Sequence, residues 1–343
     1  MLVVTSPDTR RHDPAHEIGL GRVVQPRPER PERIDAVERA VLASGIPTQV
    51  ATGHDESVLR RVHDDAYVDW LRDGYVAWRA AGGPPVLLPD TFPNRAWDTH
   101  PPTSPIGAAG WWLTDTATPV VEGSWPTVLA AVDVALTCVD LVTSGEQHLV
   151  HGATRPPGHH AGPAYGGGFC LVNHAAVAAQ ALVEATDGRV AVVDVDHHHG
   201  NGTQQAFWQR EDVLYVSLHA DPTQAYPWFS GHADEVGEGP GRGTTRNLPL
   251  PLGTDDDGYL AALGVACEQV ARFGADAVVL SLGVDTVASD PVGGLGLSPD
   301  AYPRIGQVLS TLRLPTVSLQ EGGYDLERVG LDTVAVLQGL TGA

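Results

Sequence analysis

The sequence contains no lysine: all 21 of its basic residues are arginine. Chemistry that needs a lysine amine is thereby excluded, including Walker-type phosphate loops, lysine Schiff bases and the kinase lysine. Positive charge of any kind is scarce, with 21 basic residues against 42 acidic ones and a net charge of −21. The basic footprint of a nucleic-acid binder is missing and an anionic membrane is an equally poor partner, whereas cationic substrates are favoured. Cysteine is also sparse. Cys138, Cys170 and Cys267 form no CxxC pair, so neither a thiolate zinc knuckle nor a disulfide framework is expected, and a reducing cytoplasm fits. No basic segment leads into a long apolar one at the amino end, and no stretch is expected to reach membrane-spanning length. A G-x-S-x-G nucleophile elbow is absent, and Cys170 has no independent reason to be a thiolate.

What is present is a chain of 343 residues, 42% hydrophobic, long enough to bury a large core without staples. Short runs rich in Val and Leu recur at 190–195, 213–218, 277–282 and 316–319, the pattern of parallel strands buried on both faces. Helix-like periodicity fills 175–185, 259–272, 302–312 and 326–340, with Asp255, Asp256 and Asp257 near one helix start, where negative charge suits the dipole. The expected fold is α/β: a single-domain open parallel sheet over 1–343 with helices on both faces. One segment departs from the pattern. Residues 84–112 hold seven of the 27 prolines and three of the eight tryptophans (Trp97, Trp111, Trp112), which reads equally as a long loop serving as a lid or a homodimer contact and as one that merely covers its own core. The glycine-rich run 237–243 leads into a strand-like stretch rather than a helix, so it is a structural loop and not a phosphate cradle.

Ligands of open α/β sheets bind beyond the carboxyl ends of the strands. Those ends are rich in metal-binding types: Asp194-Val195-Asp196-His197-His198-His199-Gly200-Asn201 after the first run, Gly283-Val284-Asp285 after the third, Glu321-Gly322-Gly323-Tyr324 after the fourth. If the chain stays extended, Asp194, Asp196 and His198 share one face and His197 and His199 the other. Asp196, His198 and Asp285 then supply three ligands and leave a position open, as at a catalytic mononuclear Zn²⁺ or Fe²⁺ site. An isolated histidine triplet would be merely a polar loop. The flanking aspartates, Gly200, Gly202 and the strand-end placement favour metal. Upstream, His159 and His160 on a loop shaped by Pro156, Pro157 and Gly158 are candidates for acid–base work beside it.

The blocks RPPGHHA, GGGFCLVNHAAVAA, VDVDHHHGNGTQ, SLGVDTVASDP and EGGYDLERVG, in this order, resemble the signature blocks of the histone deacetylase superfamily of zinc amidohydrolases, closest to the bacterial acetylpolyamine amidohydrolase type. The amino-terminal HDPAHEIG and RPERPERI fit as well, so the resemblance spans nearly the whole chain. It implies a deacetylase/arginase-like sheet and hydrolysis of an N-acetyl amide of a polyamine or of acetyl-lysine. Asp196, His198 and Asp285 would hold zinc, Asp194 would orient His159, and His160 with Asn201 would serve as general base and acid. Tyr324 would donate to the oxyanion. Phe169 and Tyr226 would wall a narrow tunnel, with Gly168 near the substrate amide and Val292 at the mouth. Structural potassium would lie near Asp194, Ser217 and Leu218, and near Phe207 and Val213.

The chain also departs from that pattern. His197 and His174 stand where an apolar or aromatic residue and an asparagine are expected, and alternation turns His197 away from the metal. Polyamine-type relatives place carboxylates around the mouth, whereas Pro105-Ile106-Gly107, Thr116-Ala117-Thr118 and Val292 offer none; Glu122, Asp115 and Asp98 are the candidate substitutes, although solvated loop charges are the stronger reading of them. Two other functions are compatible with such a sheet: a binuclear manganese ureohydrolase, which needs a second set of carboxylates, and a non-catalytic acyl-amine sensor, which has no use for His160 or Tyr324.

Overall fold

The computed structural model describes residues 1–19, 22–94, 96–98 and 100–342. Its strands are β1 (Leu2–Thr5), β2 (Glu17–Gly19), β3 (Arg22–Val24), β4 (Thr48–Val50), β5 (Leu149–Gly152), β6 (Val190–Asp194), β7 (Val213–Ala220), β8 (Thr245–Leu250), β9 (Ala277–Leu282) and β10 (Thr316–Gln320). Between them run α1 (Glu32–Ser44), α2 (Asp65–Ala80), α3 (Pro105–Trp112), α4 (Ser124–Thr143), α5 (His174–Thr186), α6 (Asn201–Phe207), α7 (Asp256–Phe273), α8 (Ala301–Ser310) and α9 (Val329–Thr341). Eight strands form one all-parallel sheet in the order β4-β1-β5-β10-β9-β6-β7-β8. β2 and β3 form a separate antiparallel ribbon.

Alternation along β6 explains why both faces are covered. Val190 and Val192 enter the core beneath α4 and α5, while Ala191 and Val193 enter the one beneath α7, α8 and α9. Each buried valine contributes about 1.5–3 kcal/mol, so a one-residue slip of register would cost that on both faces. The order of the sheet matters more for function. β5 and β6 come early in the chain, and the last two strands, β9 and β10, fill the gap between them. Four adjacent strands therefore end side by side, and their following loops carry the His pair, the Asp/His run, Asp285 and Tyr324.

Helix boundaries follow local chemistry. Asp255 caps α7 by accepting from the Gly258 amide, Asp256 and Asp257 occupy its first turn, and Gly274 ends it in the left-handed region. At the crossing of α8 and α9, Gly306 lies so close to the neighbouring helix that a Cβ would sit 2.1 Å from the Val336 carbonyl oxygen. Alanine normally gains about 0.5–1 kcal/mol over glycine inside a helix. Overlap with fixed backbone costs about 1–3 kcal/mol or more, so Gly306→Ala is expected to lower the urea midpoint, not raise it.

Two sequence expectations need correction. Residues 84–112 are not one long loop: α3 closes the segment, and Leu87 bridges to Val120. Trp97 is exposed whereas Trp111 and Trp112 are half-buried; Arg95 and Thr99 lie outside the described residues. The expectation that no stretch reaches membrane-spanning length also fails, because α4, with 20 residues, is long and apolar enough by length and composition. Its apolar surface is occupied by protein, with Val134, Ala135, Cys138 and Val139 in the sheet core and Val128, Val132 and Leu136 against the cluster beneath α2 and α3.

Candidate active site

The carboxyl ends of β5, β10, β9 and β6 surround one cavity of about 940 Å³, lined by His160, His198, Phe169, Tyr226 and Tyr324 among others. At its base, Asp196, His198 and Asp285 bring one ligand atom each to within 4.8 Å of one another, the one such group of His, Cys, Asp or Glu among the described residues. The His198 atom facing the carboxylates is Nδ1, 3.0 Å from Asp285 Oδ2 and 3.3 Å from Asp196 Oδ1. Two carboxylates and one imidazole nitrogen, all buried, suit a divalent Zn²⁺ or Fe²⁺. Further hydrogen bonds fix the carboxylates, the His197 amide donating to Asp285 Oδ1 and the Gly322 amide to Asp196 Oδ2.

Electrostatics follow from burying three anions together. Burial and the charge of Asp196 push the Asp285 carboxyl up to about 7, His198 only partly opposing them. Burial alone would lower the His198 imidazole, but its bonds to Asp196 and Asp285 raise it to about 10. His159 behaves likewise. Burial is outweighed by Asp196 and Asp194, raising it to about 10, and its Nδ1 lies 3.0 Å from Asp194 Oδ2. His160 goes the other way, held well below its usual value by burial and by the charges of His159 and His198. Its Nδ1 meets Asn201 Oδ1 at 2.8 Å, which assigns the proton to Nδ1 and leaves Nε2 with a free lone pair. Cys170 is buried, its thiol pushed well up by burial, and so is no nucleophile.

The cavity walls are held under backbone strain. Gly168 (φ 54°) and Phe169 (φ 71°) both lie in the left-handed region, and a Cβ on Gly168 would meet the His160 ring at 2.3 Å. The turn is secured from outside: the Gly168 amide donates to Asp115 Oδ2 (2.6 Å) and the Phe169 amide to Thr118 Oγ1 (3.0 Å). Asp115 Oδ2 also accepts from the Tyr226 hydroxyl at 2.9 Å. Asp115 is therefore not the solvated loop charge expected from sequence. Asp98 accepts from the Asn94 amide within its own loop and Glu122 is exposed.

Other placements are mixed. Val292 and Gly168 line the cavity with the aromatic walls. Asp194 stands opposite Ser217 in register, Leu218 follows Ser217 on β7, Val213 begins that strand and Phe207 ends α6. His197 does not turn away as alternation predicted. β6 ends at Asp194, the chain beyond it is no longer extended, and the His197 ring lies 4.7 Å from that of His198 and lines the same cavity. His174 is buried, with Nε2 3.3 Å from the Gln320 carbonyl and Nδ1 without a partner; nothing in the structure explains the exchange.

Several supporting residues escaped sequence reasoning. Asp290 Oδ2 accepts from the Tyr324 amide at 2.6 Å, and Glu321 Oε2 accepts from the amides of Gly158 at 2.6 Å and His159 at 3.2 Å. Arg33 lies 4.5 Å over the Tyr324 ring and donates to the carbonyls of Gly323 and Glu321. Their partners are distant in sequence; besides their position inside the resembling blocks, only Glu321 carried a signal, as an acid at a strand end.

A Histone deacetylase domain matches residues 27–340, and the chain belongs to the histone deacetylase family. It is 41% identical to acetylpolyamine amidohydrolase 1 of Pseudomonas aeruginosa over 346 aligned residues, covering all of this chain and 99% of that protein. To the acetylpolyamine amidohydrolase of Mycoplana ramosa it is 37% identical over the full length of both. The crystal structure of acetylpolyamine aminohydrolase from Burkholderia pseudomallei superposes with a TM-score of 0.93 at 36% identity, covering 99% of this chain and 98% of that one.

Proposed function

We propose that this chain is a zinc-dependent deacetylase, with Fe²⁺ an acceptable substitute, that hydrolyses the N-acetyl amide of a small or flexible amine such as an acetylpolyamine or acetyl-lysine. The observation that carries this is the convergence of Asp196, His198 and Asp285 within 4.8 Å, on a cavity that His160 and Tyr324 also line. A divalent cation at that trio supplies Lewis acidity, polarising the amide carbonyl and acidifying water.

The remaining work falls to side chains. His160, neutral and oriented by Asn201, takes the proton of the attacking water on Nε2 and returns it to the leaving amine. His159, charged and paired with Asp194, holds positive field beside the developing negative charge. Tyr324, whose hydroxyl burial keeps protonated, donates to the oxyanion, worth roughly 3 kcal/mol of barrier for comparable donors. Phe169 and Tyr226 confine the acyl-amine chain, Gly168 faces its amide, and Val292 borders the mouth. A potassium ion beside Asp194, Ser217 and Leu218, with another near Phe207 and Val213, belongs to the same proposal, supported by the direct pairing of Asp194 with Ser217. A homodimer through residues 84–112 is supported by the exposed Trp97, a cytoplasmic location by the three free cysteines, and indifference to nucleic acid and membrane by the acidic charge.

Chelation followed by removal of the chelator is expected to abolish turnover of acetylated polyamines and acetyl-lysine peptides, and one equivalent of Zn²⁺ to restore it. Full amidase activity in the stripped protein would overturn the proposal. Normal substrate binding without turnover by metal-loaded wild type would favour the sensor.

A further inference from the structure

His197 lines the same cavity as His160 and Tyr324, yet the chemistry above gives it no task. Its backbone is tied at both polar groups, the amide donating to Asp285 Oδ1 at 2.8 Å and the carbonyl accepting from the Ala220 amide at 2.9 Å. The residue is 2% exposed, and its Nδ1 accepts from the Gly294 amide at 3.4 Å. An imidazole that accepts at Nδ1 is neutral and carries its proton on Nε2. That Nε2–H has no hydrogen-bond partner among the described residues.

Gly294 leaves room over this nitrogen. A Cβ on it would lie 3.5 Å from His197 Cε1, 3.8 Å from Nε2 and 3.1 Å from Leu252 Cδ2, so its absence opens a notch between the ring and Leu252. Hydrogen bonds fix the notch from both sides: Asp290 Oδ1 accepts from the amides of Val292 and Gly293 at 2.9 and 3.2 Å, and the Gly253 amide donates to the Gly294 carbonyl at 2.9 Å. Gly294 and Leu252 are exposed, so the notch opens on the outer flank of the cavity, where the amine chain of a bound substrate runs. A chain that fills the cavity displaces the water there, and the Nε2–H is then left unpaired unless the chain brings an acceptor. The side chains of Leu252 and Val292 cannot supply one.

We propose that His197 is a specificity-determining residue whose Nε2–H donates to an oxygen acceptor, ether, hydroxyl or carbonyl, on the amine chain of the substrate. This rests on the deacetylase function above and deepens it. The preferred substrates carry an oxygen beyond the acetamide nitrogen, as acetyl-lysine in a peptide does and an acetylpolyamine, whose other nitrogens are protonated donors, does not.

The test moves one ether oxygen along the chain of an N-alkylacetamide and divides each kcat/KM by that of the all-methylene parent. A second pair, Nε-acetyl-lysinamide against N-acetylcadaverine, differs only by the carboxamide and so separates a carbonyl source from one within the chain. In wild type the ratio should peak at one ether position, or in the second pair, by about 3- to 10-fold, as expected for a hydrogen bond between neutral groups. His197→Phe keeps a ring without a donor and should flatten the peak, whereas His197→Gln should restore part of it. Because each ratio is taken within one protein, any loss of metal at the adjacent His198 cancels. A peak that survives in His197→Phe overturns the proposal; should that variant fail to fold, Gly294→Ala, which covers the notch and leaves His197 in place, is read in its stead. Wild-type ratios near unity throughout overturn it whatever the variants do. If wild type hydrolyses none of the compounds, the deacetylase function is what fails, and calorimetric binding of the same pairs to wild type and His197→Phe still decides the role of His197.

Discussion

Alanine at His160 is expected to lower kcat by about 10²- to 10⁴-fold, the span covered by positioned general acid–base groups, while leaving one divalent ion per chain. The two readouts separate proton transfer from metal binding. His160 reaches the trio only through ring contacts, its centroid 6.0 Å from that of His198, and its hydrogen-bond partner is Asn201, not a ligand. Asp285→Asn should behave differently, because it removes one of three donor groups and leaves His198 Nδ1 facing a neutral amide; metal content and turnover should fall together. Tyr324→Phe should resemble His160→Ala, retaining metal and losing about 10²- to 10³-fold in kcat. Because the base and the oxyanion donor act in one transition state, the double variant should lose less than the product of the two single losses. A His160→Ala protein with wild-type kcat and full metal content would remove the base from the proposed chemistry.

How much of this site could be read from the sequence depended on how local each cause was. Asp194, Asp196 and His198 stood out because β6 is a short apolar run and the residues after a parallel strand face the ligand. Asp285 and Tyr324 followed by the same rule at β9 and β10. Alternation failed at His197 because it assumes extended chain, and β6 stops at Asp194. β1, β4 and β5 are three or four residues long, too short for periodicity to register. α4 was hidden for the opposite reason, being apolar nearly all round and so lacking a polar stripe. The tasks of Asp115, Asp290 and Glu321 remained illegible because a carboxylate's task is set by which distant donors meet it. Tyr226, for example, lies 111 residues from Asp115.

The support beneath Tyr324 leads to the largest expected effect on stability. Glu29 is buried among three arginines: Arg33 Nη1 donates to its Oε1 at 3.2 Å, Arg155 Nη2 to its Oε2 at 3.0 Å, and Arg27 Nη1 lies 3.6 Å away. Burial alone would raise the Glu29 carboxyl, but Arg155 and Arg33 outweigh it and bring it down to about 2 from 4.5. A carboxyl whose folded value lies below its unfolded one stabilises the fold above the unfolded value and loses that contribution as pH falls through the folded one. The contribution, about 3 kcal/mol, is thus complete above 4.5 and fades toward 2. Glu29→Gln should cost more, about 3–5 kcal/mol, because it strands buried guanidinium groups without their anion. The difference in urea unfolding free energy should hold steady from neutral pH down to about 4.5 and narrow below it, where the unfolded wild-type chain binds a proton at Glu29 that the folded chain accepts only near 2. Arg33 ties the cluster to the site through the Tyr324 ring and the carbonyls of Gly323 and Glu321, so turnover should fall in the same variant. A Glu29→Gln protein unfolding at the wild-type midpoint would mean that the three arginines find other partners and that Tyr324 does not depend on them.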